Sequence, residues 1–247
     1  MKRLLTPLAL AAAATVAVAA PSAAGAESAR PQPLPPLPAA SAFGAGTVNP
    51  WFPVVPGTTS TFSGAIDGVA ARELFTVTGD VKVVDGVPAN VIHDRLYLAR
   101  EDGHGRFLAE DTLDWYATAN NGDVWYLGEA TTEYDEQGRV VSTDGSWQAG
   151  VDGARRGIYM PAQPQVGQTF AQEFYKGHAE DHFRVLSLAT SVSTPYATSK
   201  HALLTEEWTP LEPGVIDHKL YVRGIGTVKE QAVKGGRELN VLVAVRR

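Results

Sequence analysis

Turn dipeptides recur along the chain at nearly equal intervals, and their spacing limits the possible folds more than any other feature. They are Asp67-Gly68, Asp85-Gly86, Asp102-Gly103, Asn121-Gly122 and Gln137-Gly138, which are 18, 17, 19 and 16 residues apart. Asp-Gly and Asn-Gly favour tight hairpin turns, because both central positions need a positive φ. A spacing near 17 residues can hold two strands and a return turn. We therefore expect all five turns at one end of an up-and-down sheet. The return turns would lie near Gly79, Asp94, Asp111 and Gly128.

The pattern of apolar residues also favours strands over helices. In the last segment, Leu239, Val241, Val243 and Val245 alternate with other residues, which is the period of a strand. A long meander must curl to protect its edges. The predicted fold is all-β: an antiparallel up-and-down meander that forms a lipocalin-like barrel or a strongly curved half-barrel. Residues 144–168 contain five glycines and two prolines, and we expect a long loop there that covers the sheet.

The N-terminus has the pattern of an export signal. Lys2 and Arg3 precede an apolar run, and Ala24-Gly25-Ala26 fits a cleavage site. We therefore predict a signal peptide over 1–26, a Pro/Ala-rich disordered leader over 27–48, and a single β-sheet domain over 49–247. The expected location is secreted or extracellular, with no membrane span once the signal is removed.

Charge and cysteine content restrict the partners. The chain has no cysteine, so burial alone must stabilise it. Without the signal peptide, 27 acidic residues face 19 basic ones, which argues against nucleic acid, because phosphate binding needs a basic face. Divalent cations and neutral or cationic ligands remain open.

Several segments resemble a group of bacterial secreted proteins of unknown function. The opening resembles that group's "NP(Y/W)FPL-PGT" strand, and residues 110–129 resemble its central motif, of the form DWYA…NGxVWYxGE. Further likeness lies in residues 145–154, 160–162, 177–181 and 221–228. The resemblance covers nearly all of the chain after the signal. It implies a β-rich, lipocalin-like exported domain and implies no activity. The chain departs from the pattern after Thr59, where Ser60-Thr61-Phe62 stands in place of an aromatic residue.

The Asn121-Gly122 hairpin can be given a register. If these two residues form the turn, Asp114 faces Glu129, Tyr116 faces Leu127 and Thr118 faces Trp125, with all six side chains on one face. Tyr126 then lies on the other face. Directly opposed carboxylates need a cation, a shared proton or a basic neighbour. One interpretation is a Ca²⁺ site formed by Asp114, Glu129 and Asp111, and the other is an exposed pair relaxed by a nearby arginine.

The same acid pair allows an enzymatic interpretation. Asp114 and Glu129 would act as the acid and base of a glycosidase-like hydrolase, with Trp125 and Trp147 as platforms for a sugar. His178 and His182 suggest zinc, but the surrounding residues favour a solvated turn. No G-x-S-x-G motif is present for nucleophilic catalysis.

Three functions therefore stay open. The first is a non-enzymatic exported domain that binds a small apolar ligand or a protein partner, with Trp125, Trp147 and Tyr116 as contacts. The second is the hydrolase, and the third is a purely structural envelope or surface domain.

Overall fold

The computed structural model describes residues 34–44 and 46–247. The predicted signal peptide lies outside them, as does the first part of the predicted leader. The described chain is almost entirely antiparallel β-structure, with one short 3₁₀ helix at Ala40–Ala42. Within these residues, no helix has the length and apolar character needed to cross a membrane.

Fifteen strands follow one another in the chain. They are β1 (Thr59–Ile66), β2 (Val69–Val84), β3 (Val87–Ala99), β4 (Arg106–Thr118), β5 (Val124–Tyr134), β6 (Val140–Ser142), β7 (Trp147–Gln148), β8 (Arg155–Met160), β9 (Thr169–Ala171), β10 (Glu173–Phe174), β11 (His182–Ser193), β12 (Thr198–Trp208), β13 (Ile216–Val222), β14 (Gly226–Lys234) and β15 (Glu238–Arg246).

The strands form one sheet that curls into a nearly closed barrel. Thirteen of them lie in the order β10-β8-β5-β4-β3-β2-β1-β15-β14-β13-β12-β11-β9, and β6 and β7 pair with β5 off this path. The first strand, β1, pairs with the last, β15. The predicted all-β antiparallel barrel is therefore confirmed.

The remaining seam is crossed by the chain itself. β9 pairs with β11 on one side of the seam, and β10 pairs with β8 on the other. Only Gln172 separates β9 from β10. At this point β8 passes so close that a Cβ on Gly157 would lie 2.3 Å from the Ala171 carbonyl oxygen. A glycine is therefore required where the two edges meet.

All five predicted turns form, but their predicted placement was wrong. Asp67 and Asp85 have φ of 50° and 47°, and the glycine after each also has a positive φ. The first four turns join the consecutive strands from β1 to β5, and the fifth joins β5 to β6. The turns therefore alternate between the two ends of the barrel. β2, β3 and β4 contain 16, 13 and 13 residues, so one long strand fills the spacing that two were expected to fill.

Two further predicted segments also differ from expectation. Residues 144–168, predicted as a covering loop, contain β7 and β8, and both pair with β5, so this segment is part of the wall. Within the leader predicted over 27–48, the described residues 38–43 pack on the barrel near its end. Phe43 is buried and pairs with Ala119 through an isolated bridge, and the Arg156 guanidinium donates to the Pro38 carbonyl at 2.9 Å. The packed chain therefore begins before residue 49.

Asn49 ties the opening motif to the barrel. Its fully buried amide group donates to the carbonyls of Gly122 at 2.8 Å and Met160 at 3.1 Å. Its side-chain oxygen accepts the backbone N–H groups of Trp51 and Phe52 at 2.8 and 2.9 Å. These four bonds explain why asparagine stands there, and they direct Phe52 toward the barrel interior.

The close approach at the seam lets us predict how a methyl group added at residue 157 changes the stability of the barrel. Gly157→Ala should lower the free energy of unfolding by about 2 kcal/mol or more, because the new Cβ overlaps backbone that cannot rotate away. Gly79→Ala is the matched control, since Gly79 lies in β2 with no atom within 4 Å of its would-be Cβ and should change stability by less than about 0.5 kcal/mol. Urea unfolding measures both, and equal stability of the two variants would contradict a close seam.

Candidate functional site

The barrel encloses a cavity of about 600 Å³. Aromatic rings form one part of its wall. Tyr116 and Tyr126 stack with ring centroids 4.5 Å apart, and Phe52 and Tyr159 pack on Tyr116 at 5.3 and 4.8 Å. The side-chain hydrogen bonds of Asn49 and the pairing of strands β4, β5 and β8 hold these rings in place.

Acidic side chains dominate the rest of the lining. Among the described residues that line the cavity, eleven are acidic, whereas the bases are Lys219, Arg247 and the imidazole of His178. The acids are Glu73, Asp94, Glu110, Asp114, Asp144, Glu129, Glu173, Asp181, Glu207, Glu212 and Glu230. Such a surplus of one charge inside a barrel is unusual, because isolated carboxylates are costly to bury.

Asp114 and Glu129 lie directly opposite each other on β4 and β5, which confirms the predicted pairing. The Tyr126 hydroxyl donates to Asp114 at 2.6 Å, and the Thr131 hydroxyl donates to Glu129 at 3.2 Å. Burial raises the pKa of Asp114 to about 7 against the partial relief of the Tyr126 bond, and burial together with Asp114 raises the pKa of Glu129 well above its usual range. The two groups therefore hold protons near neutral pH.

Glu73 on β2 and Asp94 on β3 form a second pair of acids on neighbouring strands. The Asn240 amide donates to Glu73 at 2.5 Å. Burial, followed by the charge of Glu230, raises the pKa of Glu73 to about 8. Burial, followed by the charge of Glu73, raises the pKa of Asp94 well above its ordinary value.

Lys219 on β13 neutralises two other acids of the lining, Glu207 and Glu230. Its ammonium group lies 2.9 Å from Glu207 and 3.3 Å from Glu230. The Tyr221 hydroxyl also donates to Glu207, at 3.1 Å. Burial alone would lower the pKa of Lys219, but the two carboxylates outweigh burial and raise it well above the ordinary value. This lysine is therefore charged and already engaged.

A β-bulge changes the predicted register near the turn. Tyr116 pairs with Tyr126 and Thr118 with Val124, and the register shifts between Asp114 and Tyr116. The predictions that Tyr116 faces Leu127 and that Tyr126 lies on the other face were therefore wrong. The bulge is possible because Gly128 adopts a φ of 136°, and it brings both tyrosines to the cavity.

The predicted site residues are only partly brought together. Tyr116, Asp114 and Glu129 line the cavity. Trp125 pairs with Ala117 on the opposite face of the sheet. Trp147 packs edge-on against Tyr126 at 5.4 Å but is outside the described lining. Asp111 is also on the outer face, because an odd separation from Asp114 reverses the side of the strand. There its carboxylate accepts a hydrogen bond from His93 Nε2 at 2.8 Å.

The residues proposed as ligands for Ca²⁺ and for zinc are not brought together. In the part of the chain that the structure describes, no three acidic or histidine side chains are arranged to hold a metal ion. His178 stacks on Tyr175 at 4.3 Å in a turn, whereas His182 stacks on Trp208 at 5.7 Å at the start of β11. The Ca²⁺ set of Asp114, Glu129 and Asp111 is likewise not assembled.

Sequence reasoning missed Glu73, Asp94, Glu207, Lys219 and Glu230. One signal was present in the printed sequence. Polar residues occupy alternate positions of predicted strands, as in Glu110, Thr112, Asp114 and Tyr116, and a polar set of strand period on a core-facing side indicates a polar interior.

No protein-family model matches the chain, and no curated protein matches it. A search of solved structures finds a likeness to a "putative exported protein with YmcC-like fold" from Bacteroides fragilis. The two share 14% identity with a TM-score of 0.41, over 80% of this chain and 99% of the other. A likeness at this level carries no information on ligand or activity.

The buried acids predict a stability that falls with rising pH. A carboxyl whose folded pKa is raised stabilises the fold fully below its unfolded pKa and loses that contribution as pH rises through the folded value. For Asp114 this window runs from 3.8 to about 7. The free energy of unfolding should therefore fall between pH 5 and pH 8, by about 1.4 kcal/mol for each pH unit crossed inside this window.

Two amide variants, one buried and one exposed, test this pH dependence. Asp114→Asn cannot ionise, so its loss of stability between pH 5 and pH 8 should be smaller than that of the wild type by about 1 kcal/mol or more. Asp80→Asn, at an exposed position of β2, should fall as the wild type does. Urea unfolding at the two pH values gives the result, and parallel behaviour of all three proteins would contradict protonation at Asp114.

Proposed function

We propose that this protein is an exported, non-catalytic β-barrel domain that binds a small molecule in its interior. The observation that carries the proposal is the cavity of about 600 Å³, a volume within the roughly 300–1,000 Å³ of small-molecule sites. Its lining combines aromatic rings with polar groups, the usual composition of such sites.

The lining favours binding over a purely structural role. A barrel that only had to be stable could fill its interior with aliphatic side chains, as small barrels do. Here the interior keeps open volume and carries ionisable groups whose burial costs stability. Costs of this kind are characteristic of functional sites.

The hydrolase alternative has weaker support. Its acid pair lines the cavity, but its two sugar platforms, Trp125 and Trp147, do not. Export is supported by the sequence of residues 1–26, with its basic start, apolar run and small-residue cleavage pattern.

A neutral fluorescent probe tests whether the cavity is open to small molecules. N-phenyl-1-naphthylamine should bind with enhanced fluorescence, because its environment becomes apolar. Ser60→Trp places an indole in the cavity lining and should weaken this binding at least tenfold.

Ser63→Trp is the matched control, since Ser63 is an odd number of positions from the cavity-lining Ser60 and Phe62 on the same strand. It should bind the probe as the wild type does. Equal binding by both tryptophan variants would show that the probe adsorbs elsewhere, and this would overturn the proposal.

A further inference from the structure

The unpartnered polar atoms at the cavity share one chemical property. Asp94 Oδ1, Glu173 Oε2, Glu212 Oε2 and Asn240 Oδ1 are buried, line the cavity and have no hydrogen-bond partner. The Asn240 oxygen is an acceptor, and the three carboxyl oxygens are acceptors once their groups are ionised. Thr58 Oγ1 is also unpartnered there, and a hydroxyl can serve as donor or acceptor. The unpartnered N–H groups of the described chain, on three arginines and two tryptophans, belong to residues outside the lining.

Two of these acceptors are particularly well buried. Asn240 is 4% exposed and Glu173 is 6% exposed. Asn240 already donates to Glu73, so its oxygen is the atom that remains free. A buried acceptor without a donor costs about 1–3 kcal/mol. A ligand with several N–H groups would remove this cost.

The acids beside the aromatic wall become anionic partners for a cation once they ionise, and a bound positive charge favours that ionisation. Burial, followed by the charges of Asp181 and Glu129, raises the pKa of Glu173 well above its usual range. The indole N–H of Trp147 offsets part of the rise in the pKa of Glu173. The contact does not have hydrogen-bond geometry, so the indole N–H and Glu173 Oε2 both have no hydrogen-bond partner. The charge of Lys219 lowers the pKa of Asp114, but the ammonium group itself is engaged by Glu207 and Glu230. Asp114, Glu129 and Glu173 therefore lack a cationic partner of their own among the described residues that line the cavity.

Ring faces beside these acids suit an organic cation. Tyr116 and Tyr126 form a parallel stack at 4.5 Å with an interplanar angle of 11°, and Tyr159 lies edge-on to both. The Tyr126 hydroxyl touches Asp114 at 2.6 Å, so the rings and the carboxyl are contiguous. Electron-rich ring faces attract ammonium and guanidinium groups, and carboxylates take amidinium and guanidinium groups through paired N–H bonds.

We propose that the ligand is a small organic cation: an amine, amidine or guanidine attached to an apolar or aromatic body. This proposal rests on the proposed small-molecule function. The cationic head of the ligand lies against Asp114, Glu129 and Glu173, which release their protons to solvent as it binds, and its body lies against Tyr116, Tyr126 and Tyr159. An inorganic ion is disfavoured, since in the described chain no three acidic or histidine side chains are arranged to hold one.

Three probes of nearly the same shape test the class. Benzamidine carries a cationic head, benzamide is its neutral counterpart and benzoate its anionic counterpart. Each competes with N-phenyl-1-naphthylamine on the intact signal-free chain at pH 7.5. Benzamidine should bind at least tenfold more tightly than benzamide, and benzoate should not compete. Benzamide binding as tightly as benzamidine would overturn the inference.

Asp114→Asn localises the head group. The variant should weaken benzamidine at least fivefold and leave benzamide unchanged, and the exposed Asp80→Asn should change neither. An unchanged benzamidine affinity in Asp114→Asn would overturn this placement. If Asp114→Asn does not fold, Glu173→Gln serves the same purpose with the same expected result.

The two proposals fail separately. Binding of the naphthylamine inside the barrel without preference for benzamidine would remove the cation and leave the small-molecule function. If none of the four compounds raises the melting temperature and the naphthylamine is insensitive to Ser60→Trp, both proposals fall.

Discussion

Carboxyl groups inside an antiparallel barrel impose the condition on which the rest of this structure depends. A buried carboxylate must find a positive partner, several donors or a proton, because burial removes much of its hydration. On one wall, Lys219 supplies the charge for Glu207 and Glu230. On the other wall, the Tyr126 hydroxyl and the Asn240 amide supply single bonds to Asp114 and Glu73. The protons that these acids retain supply the remainder, which makes the barrel interior responsive to pH.

The aromatic wall exists because of local backbone geometry. The bulge near Asp114 and the left-handed Gly128 bring Tyr126 to the same face as Tyr116. A Cβ at residue 128 would also lie 2.3 Å from the Trp147 carbonyl oxygen, so the close approach of β7 needs glycine as well. Gly128 thus permits both the tyrosine stack and the pairing of β7 with β5, which explains why the stacked rings and the acid pair are contiguous.

Short-range features of the fold could be predicted from the sequence, and long-range ones could not. The glycine turns and the strand alternation identified an antiparallel barrel. The Asp114–Glu129 pair was predicted correctly although the register near the turn was wrong. The turn hydrogen bonds span Ala119 to Asp123, one residue more than a two-residue loop would give, and the bulge restores the register at Asp114. Asp111 could have been excluded from the site by parity alone. Lys219 meets Glu207 and Glu230 through the consecutive strands β12, β13 and β14, whose pairings the sequence analysis did not assign. Glu73 meets Asn240 across β1, because the last strand pairs with the first, and no local pattern specifies that closure.

The central claim is that the interior acids of the barrel hold protons at neutral pH. Carbon-13 NMR of protein labelled at its aspartate side-chain carboxyls tests it directly, with the Asp114 signal assigned by its loss in Asp114→Asn. The account predicts a midpoint near the raised pKa of about 7, about three pH units above that of an ordinary aspartate. A midpoint near pH 4, the ordinary aspartate value of about 3.9, would contradict it, because burial would then not raise the pKa of this carboxyl.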